Sequence, residues 1–258
     1  MLKSTFIILA TSYFAWHLER FETSVIYPFD TTYETPASAG EPRLRETRFV
    51  TTDGEELILW RSAPRDGRPT ILYFPGNAGG LRDRVERFSH LIDRGYGVTA
   101  LGYRGSSGST GRPNEMALVE DAIAVSTREV ARPLVLYGES LGTAVAIKLA
   151  GRGVGDAVVL EAPFTSVVEL IERQHPTEDL DHLVTQRWES LDGAAAVRQR
   201  LLVIHGSDDH LVPVQMGRAI FAVAGSVNKR FLEIDGGSHN DLWSGETLAV
   251  LYDFLENR

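Results

Sequence analysis

The sequence predicts an α/β protein with a mostly parallel central sheet and helices on both faces. Three observations predict it. Short apolar runs of strand length alternate with longer stretches of helical periodicity. Two strand-like runs come first with no helix between them, and strict strand–helix alternation follows. The later runs are almost continuously apolar, as strands covered on both faces must be.

Taken in order, the expected strands are 48–51, 57–61, 70–74, 97–101, 133–137, 157–161, 201–205 and 230–234. Between them, 81–93 sets Val85, Phe88, Leu91 and Ile92 on one helical face. The stretch 116–130 does the same with Leu118, Ala122, Ile123 and Val130. Residues 141–151 are nearly all small or apolar, which suits a buried helix. Residues 214–224 follow Pro213, a good neighbour for a helix start, and 247–255 close the chain. Residues 28–46, rich in Pro, Thr, Glu and Gly, read as a linker or surface excursion.

Composition bounds the chemistry. The 258 residues suit one α/β domain, and 43% hydrophobic with 24% charged residues excludes a disordered chain or a polytopic membrane protein. The formal charge of −9 repels phosphate backbones, so nucleic acid is not an expected partner. There is no cysteine. Disulfides, thiolate nucleophiles and Cys-ligated metals are therefore excluded. A covalent nucleophile would have to be Ser, Thr, Lys, Tyr or a carboxylate.

Residues 4–18 contain no Asp, Glu, Lys or Arg. As a helix they would span roughly 22 Å. That is short of the roughly 30 Å hydrocarbon core. Three readings stand: a short membrane anchor with Tyr13, Trp16 and His17 at the interface, a cleaved signal peptide, or a helix packed on the domain. The first places the protein at a membrane through residues 4–18. The last leaves it cytoplasmic.

In open parallel sheets, ligands bind at the carboxyl ends of the strands, so chemistry is sought just after each one. The strand 133–137 runs into Gly138-Glu139-Ser140-Leu141-Gly142 and then a helix. This G-x-S-x-G would hold Ser140 on a tight turn, with glycines letting strand and helix approach. The pentapeptide alone is a weak signal, and the plain alternative is a structural turn with a capping serine. Serine needs a base, and the base an orienting acid. The strand 201–205 ends in Gly206-Ser207-Asp208-Asp209-His210, offering Asp209 as the acid and Asp208 as runner-up; either would also serve as a helix cap. Of the seven histidines, only His239 follows the last strand in a Gly-rich loop, so it is the expected base; His205, within a strand, reads as core. The strand 70–74 leads into Pro75-Gly76-Asn77-Ala78-Gly79-Gly80. Its backbone can supply one oxyanion donor, most simply Asn77 N–H with Ala78 as alternative, and Leu141 N–H supplies the other.

Together these residues resemble the α/β-hydrolase superfamily, most closely the small N-terminally anchored serine hydrolases related to protein depalmitoylases and serine-aminopeptidase-like proteins. The resemblance covers nearly the whole chain. It rests on Val25-Ile26-Tyr27-Pro28, Phe74–Gly79, Tyr103-Arg104-Gly105 with the Ser/Gly run after it, Gly138–Gly142, Asp209–Pro213 and His239-Asn240-Asp241. It implies the α/β-hydrolase fold with a small lid at about 165–199 of a domain spanning 21–258, after an N-terminal apolar segment at 1–20. It implies a serine hydrolase acting on a carboxylic ester or thioester of a small-molecule or acylated substrate, with no metal or organic cofactor. An aminopeptidase-like amide hydrolase and a catalytically silent scaffold are the alternatives. One departure matters: Pro75 stands where the family usually has His, so any bond by which that His braces the oxyanion loop is missing. Arg82, Arg84 and Arg87 read chiefly as a solvated helix face, with an anion-greeting role as the alternative.

Overall fold

A computed structural model describes residues 20, 22–128, 133–174, 176 and 181–257. Its sheet has eight strands: β1 Arg45–Val50, β2 Glu56–Ser62, β3 Thr70–Phe74, β4 Gly97–Leu101, β5 Leu134–Glu139, β6 Ala157–Glu161, β7 Arg200–Gly206 and β8 Lys229–Ile234. They lie in the order β1-β2-β4-β3-β5-β6-β7-β8. The β1–β2 and β2–β4 pairs are antiparallel, and all the others are parallel. The mostly parallel α/β architecture is therefore as the sequence predicts.

After β3 the helices are α1 Val85–Asp93, entered through the 3-10 turn Leu81–Arg84, then α2 Glu115–Arg128, α3 Leu141–Ala150, α4 Val167–Gln174, α5 Ser190–Ala194, α6 Val214–Val223 and α7 Gly245–Glu256. Alternating strand residues feed two apolar layers. Leu72, Phe74, Leu136, Leu160 and Val203 face α2, α3 and α6. Ile71, Tyr73, Tyr137, Val159 and Ile204 face α1 and α7. Strands between two helical layers lose water on both sides, which is why they carry so few polar residues.

The differences from expectation are at element ends. β1 starts three residues before the expected Arg48 because its charged alternation, RETRFV, suits an edge strand with one face in water. That shortens the expected excursion at 28–46; Leu44 is already buried. Helix α7 begins two residues early, where Ser244 Oγ accepts the Thr247 amide.

Between β6 and β7, α4, a 3-10 turn at Asp181–Leu183 and α5 occupy the region expected to form a lid. Trp188 is fully buried there, and Leu170, Ile171, Val184 and Leu191 pack against the main core. Among the described residues, no helix is long and apolar enough to cross a membrane. The apolar run at 4–18 lies outside the described residues.

The strand order reverses about β3: β4 lies on one side of it and β5 on the other. Such a switch point opens a crevice at the carboxyl ends of the strands. Phe74 pairs with Gly138 across it, so the loop after β3 and the turn after β5 lie side by side.

Candidate active site

Ser140 sits on the turn between β5 and α3 with φ 49° and ψ −112°, a conformation that L-residues rarely adopt. The glycines around it are sterically required. A Cβ at Gly142 would lie 2.0 Å from the Phe74 carbonyl oxygen, and one at Gly138 would lie 2.4 Å from that of Gly142. Both obstacles are backbone, so neither can yield. The turn is further pinned by the Ser140 amide, which donates to the Glu161 carbonyl at the end of β6 at 2.8 Å.

The loops after β7 and β8 bring Asp209 and His239 to this turn. His239 Nε2 lies 3.0 Å from Ser140 Oγ, and His239 Nδ1 lies 2.7 Å from Asp209 Oδ2. With the imidazole proton on Nδ1 it is donated to Asp209, and Nε2 is free to accept from the serine hydroxyl. Asp209 is buried, and its other oxygen accepts the amides of Leu211 and Val212 at 3.0 and 2.8 Å. Burial pushes its carboxyl up, but hydrogen bonds from His205 and His239, with the His239 charge and the Val212 amide, hold it well below the usual aspartate range.

The two loops are joined backbone to backbone. Asp208 N–H donates to the Gly237 carbonyl at 3.0 Å, and a Cβ at Gly206 would come within 2.1 Å of that same oxygen. Asp208, the runner-up acid, is instead exposed beside His210 at 3.3 Å. His205 is fully buried, as expected, but its role is not packing alone. Its Nε2 lies 3.5 Å from Asp209 Oδ2 and 2.7 Å from the Val212 carbonyl, underneath the acid.

Leu141 opens α3, so its amide belongs to the first turn, where helix N–H groups have no partner within the helix. Asn77 lies on the loop after β3, and its side-chain Nδ2 donates to the Ile26 carbonyl at 3.0 Å. Glu139 carries the ion pair Arg84 Nη2–Glu139 Oε1 at 2.7 Å. Arg87 Nη1 meets both Glu161 oxygens at 2.9 and 2.7 Å. The solvated face expected of Arg84 and Arg87 is thus not what forms: both are largely buried against carboxylates at the ends of β5 and β6. Arg82 alone remains half-exposed, paired with Asp30. Burial pushes Glu139 up, but the charges of Arg87 and Arg84 hold it well below the ordinary glutamate value. Trp243 Nε1, four residues past His239, donates to Glu161 Oε2 at 2.9 Å, which ties the His239 loop into the same network.

A cleft of about 410 Å³ opens beside Asp209, lined by Leu170, Arg173, His210, Leu211 and Val214 among others. It separates α4 from the acid loop.

This architecture, with a serine on a strained strand-to-helix turn at the switch point, defines the α/β-hydrolase class. No protein-family model matches the chain. The chain belongs to the α/β-hydrolases related to bem46 and ABHD12. It is 31% identical to protein bem46 of Schizosaccharomyces pombe over 224 residues, covering 81% of this chain and 74% of that one. It is 35% identical over 214 residues to Rv2307c, an uncharacterized protein of Mycobacterium tuberculosis, covering 80% of this chain and 75% of that one. It is 33% identical over 195 residues to the lysophosphatidylserine lipase ABHD12 of Bos taurus; that match covers 66% of this chain but only 49% of the relative. Among solved structures, the Pyrococcus furiosus esterase Pf2001 has the same fold, with a TM-score of 0.71 at 18% identity over 89% of this chain and 98% of that one.

Proposed function

We propose that the protein is a serine hydrolase that cleaves a carboxylic ester or thioester through an acyl-enzyme on Ser140. The observation that carries this reading is the unbroken series of short contacts from Ser140 Oγ through His239 to Asp209. In the proposed cycle Ser140 Oγ attacks the carbonyl carbon while its proton passes to His239 Nε2. Asp209 steadies the imidazolium so formed. The tetrahedral oxyanion lies against the amides of Leu141 and Asn77. Its collapse breaks the bond to the leaving alkoxide or thiolate, which takes the proton from His239. Water then attacks the acyl-serine, gives a proton to His239, and releases the acid as Ser140 recovers its hydrogen.

Ester chemistry is favoured over amine-directed peptidase chemistry by the state of the nearby carboxylates. An aminopeptidase needs one free to hold the substrate amine. Glu139 and Glu161 are both neutralised by buried arginines, and Asp208 points outward beside His210. The names carried by ABHD12, a lipase, and Pf2001, an esterase, agree with this preference. A silent scaffold would have no need to keep all three groups in register. The proposal includes a membrane tether at residues 4–18, tested by fractionating full-length protein against a chain lacking residues 1–20.

The decisive experiment is labelling with a fluorophosphonate probe, paired with turnover of p-nitrophenyl esters, thioesters and aminoacyl amides. Wild type is expected to label and to turn over esters, and Ser140→Ala to do neither. A folded wild type that never labels would overturn the reading.

A further inference from the structure

Pro75 opens the loop at 75–80, and three of the loop's residues, Gly76, Gly79 and Gly80, are glycine. A glycine-rich loop is soft, yet an oxyanion donor has to be in place before charge develops. The two ends of the loop are held by ordinary means. Tyr103 O–H donates to the Pro75 carbonyl at 3.2 Å, and the Gly80 amide donates to Asp83 Oδ2 at 2.7 Å. Its middle is tied to the 26–30 segment, by Asn77 Nδ2 donating to the Ile26 carbonyl at 3.0 Å and the Asp30 amide donating to the Gly79 carbonyl at 3.1 Å, and from the sheet side by one buried cation. Arg84 Nη1 donates to the carbonyl of Ala78 at 2.7 Å and to that of Gly80 at 3.3 Å.

The other edge of the same guanidinium is fixed. Its Nε and Nη2 donate to the two oxygens of Glu139 at 3.1 and 2.7 Å. Tyr73 O–H adds a bond to that carboxylate at 2.6 Å. Glu139 is the residue before Ser140, so a single side chain spans from the nucleophile's own turn to the loop opposite it. The two meet closely: a Cβ on Gly76 would lie 3.1 Å from Glu139 Oε1 and 3.5 Å from Ser140 Cβ.

We propose that Arg84, seated on Glu139, is the positioning residue that holds the 76–80 loop so that its amide faces the oxyanion formed at Ser140. This rests on the reading of Ser140 as nucleophile. Charge balance alone would not need this geometry, because balancing Glu139 requires a cation but not one that also reaches Ala78 and Gly80. A planar fork with donors on several sides spans both partners at once, which a single ammonium does not.

The test uses Arg84→Lys, Arg84→Gln and the doubly neutral Arg84→Met/Glu139→Gln. Each is assayed for kcat and KM on a p-nitrophenyl ester and for affinity for a trifluoromethyl ketone, whose hemiketal carries the oxyanion. Active sites are counted by fluorophosphonate titration. We expect Arg84→Gln to lower kcat per titrated site by about 10²–10³, the loss typical of one oxyanion donor. KM should stay within about threefold, and the ketone should lose affinity by a similar factor to kcat. Arg84→Lys, which keeps the charge beside Glu139 and with it the fold, should lose at least about tenfold in kcat. The double variant should not recover, because the carbonyls remain unbraced. Wild-type kcat per titrated site in Arg84→Lys, or recovery in the double variant, would overturn the proposal. A wild type that neither labels nor turns over would instead remove the serine-hydrolase reading beneath it.

Discussion

The carboxylate of Glu22 lies 2.8 Å from the amide nitrogen of Thr185, 163 residues away along the chain. Its same oxygen also accepts the Gln186 amide, at 2.7 Å. Tyr27, five residues on, takes the Trp188 indole N–H on its hydroxyl at 2.9 Å and gives that hydroxyl's hydrogen to Gln186 Oε1 at 3.0 Å. The stretch that leads into the domain is therefore bonded to the segment over the helical layer between β6 and β7. Glu22→Ala removes the acceptor for two amides, at a cost of about 1–3 kcal/mol to that segment. Amide hydrogen exchange at 184–189 should speed up by about tenfold or more. Unchanged protection there would show that the clasp contributes nothing.

The strained backbone at Ser140 should be visible in stability. A non-glycine residue at this φ and ψ costs on the order of 1–3 kcal/mol. Glycine relieves it but adds about 0.5–1 kcal/mol of unfolded-state entropy. Ser140→Gly is therefore expected to be inactive yet to melt roughly 2 °C higher than wild type. A lower Tm than wild type would count against stored strain at the turn.

Gly142 tests the opposite case. An added methyl meets the Phe74 carbonyl oxygen at 2.0 Å and that of Pro75 at 2.8 Å. Overpacking against backbone sits at the costly end of the usual range, about 3 kcal/mol or more. Urea denaturation of Gly142→Ala should show that loss, while Gly153→Ala probes a glycine with open space around it but φ +79° and should lose only about 1–2 kcal/mol.

Acid should unfold the protein through its buried carboxylates. Glu139 and Asp209 both have folded pKa values below their ordinary ones. The unfolded chain then binds more protons than the folded chain over that window, so stability rises with pH. The stabilisation is complete above roughly pH 5 and is lost as pH falls through about 4 toward the depressed folded values. Arg84, Arg87, Tyr73, Tyr103 and Glu161 are among the charged or titratable groups around Glu139. Glu139→Gln, less stable at neutral pH, should show a shallower decline between pH 5 and 3 in urea midpoints. An equal slope would mean that this carboxylate does not titrate with unfolding.

The strands were legible because burial on both faces writes itself as runs such as TILYF and AVVLE, whose bounds the structure reproduces. β1 was half-legible, since an edge strand open to water has only Phe49 well buried. The meeting of Ser140, Asp209 and His239 was legible from topology. Each follows a strand, and parallel strands deliver their following loops to one edge of the sheet. The Arg84–Glu139 and Arg87–Glu161 pairs were not. Their partners stand 55 and 74 residues apart, and nothing local distinguishes a buried arginine from a solvated one. Only the docking of α1 across the ends of β5 and β6 decides it. His205 reads as core from its place within a strand, and no periodicity reveals that a core ring also touches Asp209.

The backbone contact between Gly206 and Gly237 has a consequence for altering the chemistry. Asp209 and His239, the acid and base of the proposed mechanism, follow two neighbouring, hydrogen-bonded strands whose following loops lock together before any contact with the serine turn is counted. The imidazole–carboxylate dyad is thus a prefabricated module, independent of what occupies position 140. Exchanging the proposed nucleophile, as in Ser140→Cys, leaves that module intact, so new reactivity can be grafted onto the elbow without rebuilding the imidazole–carboxylate pair beside it.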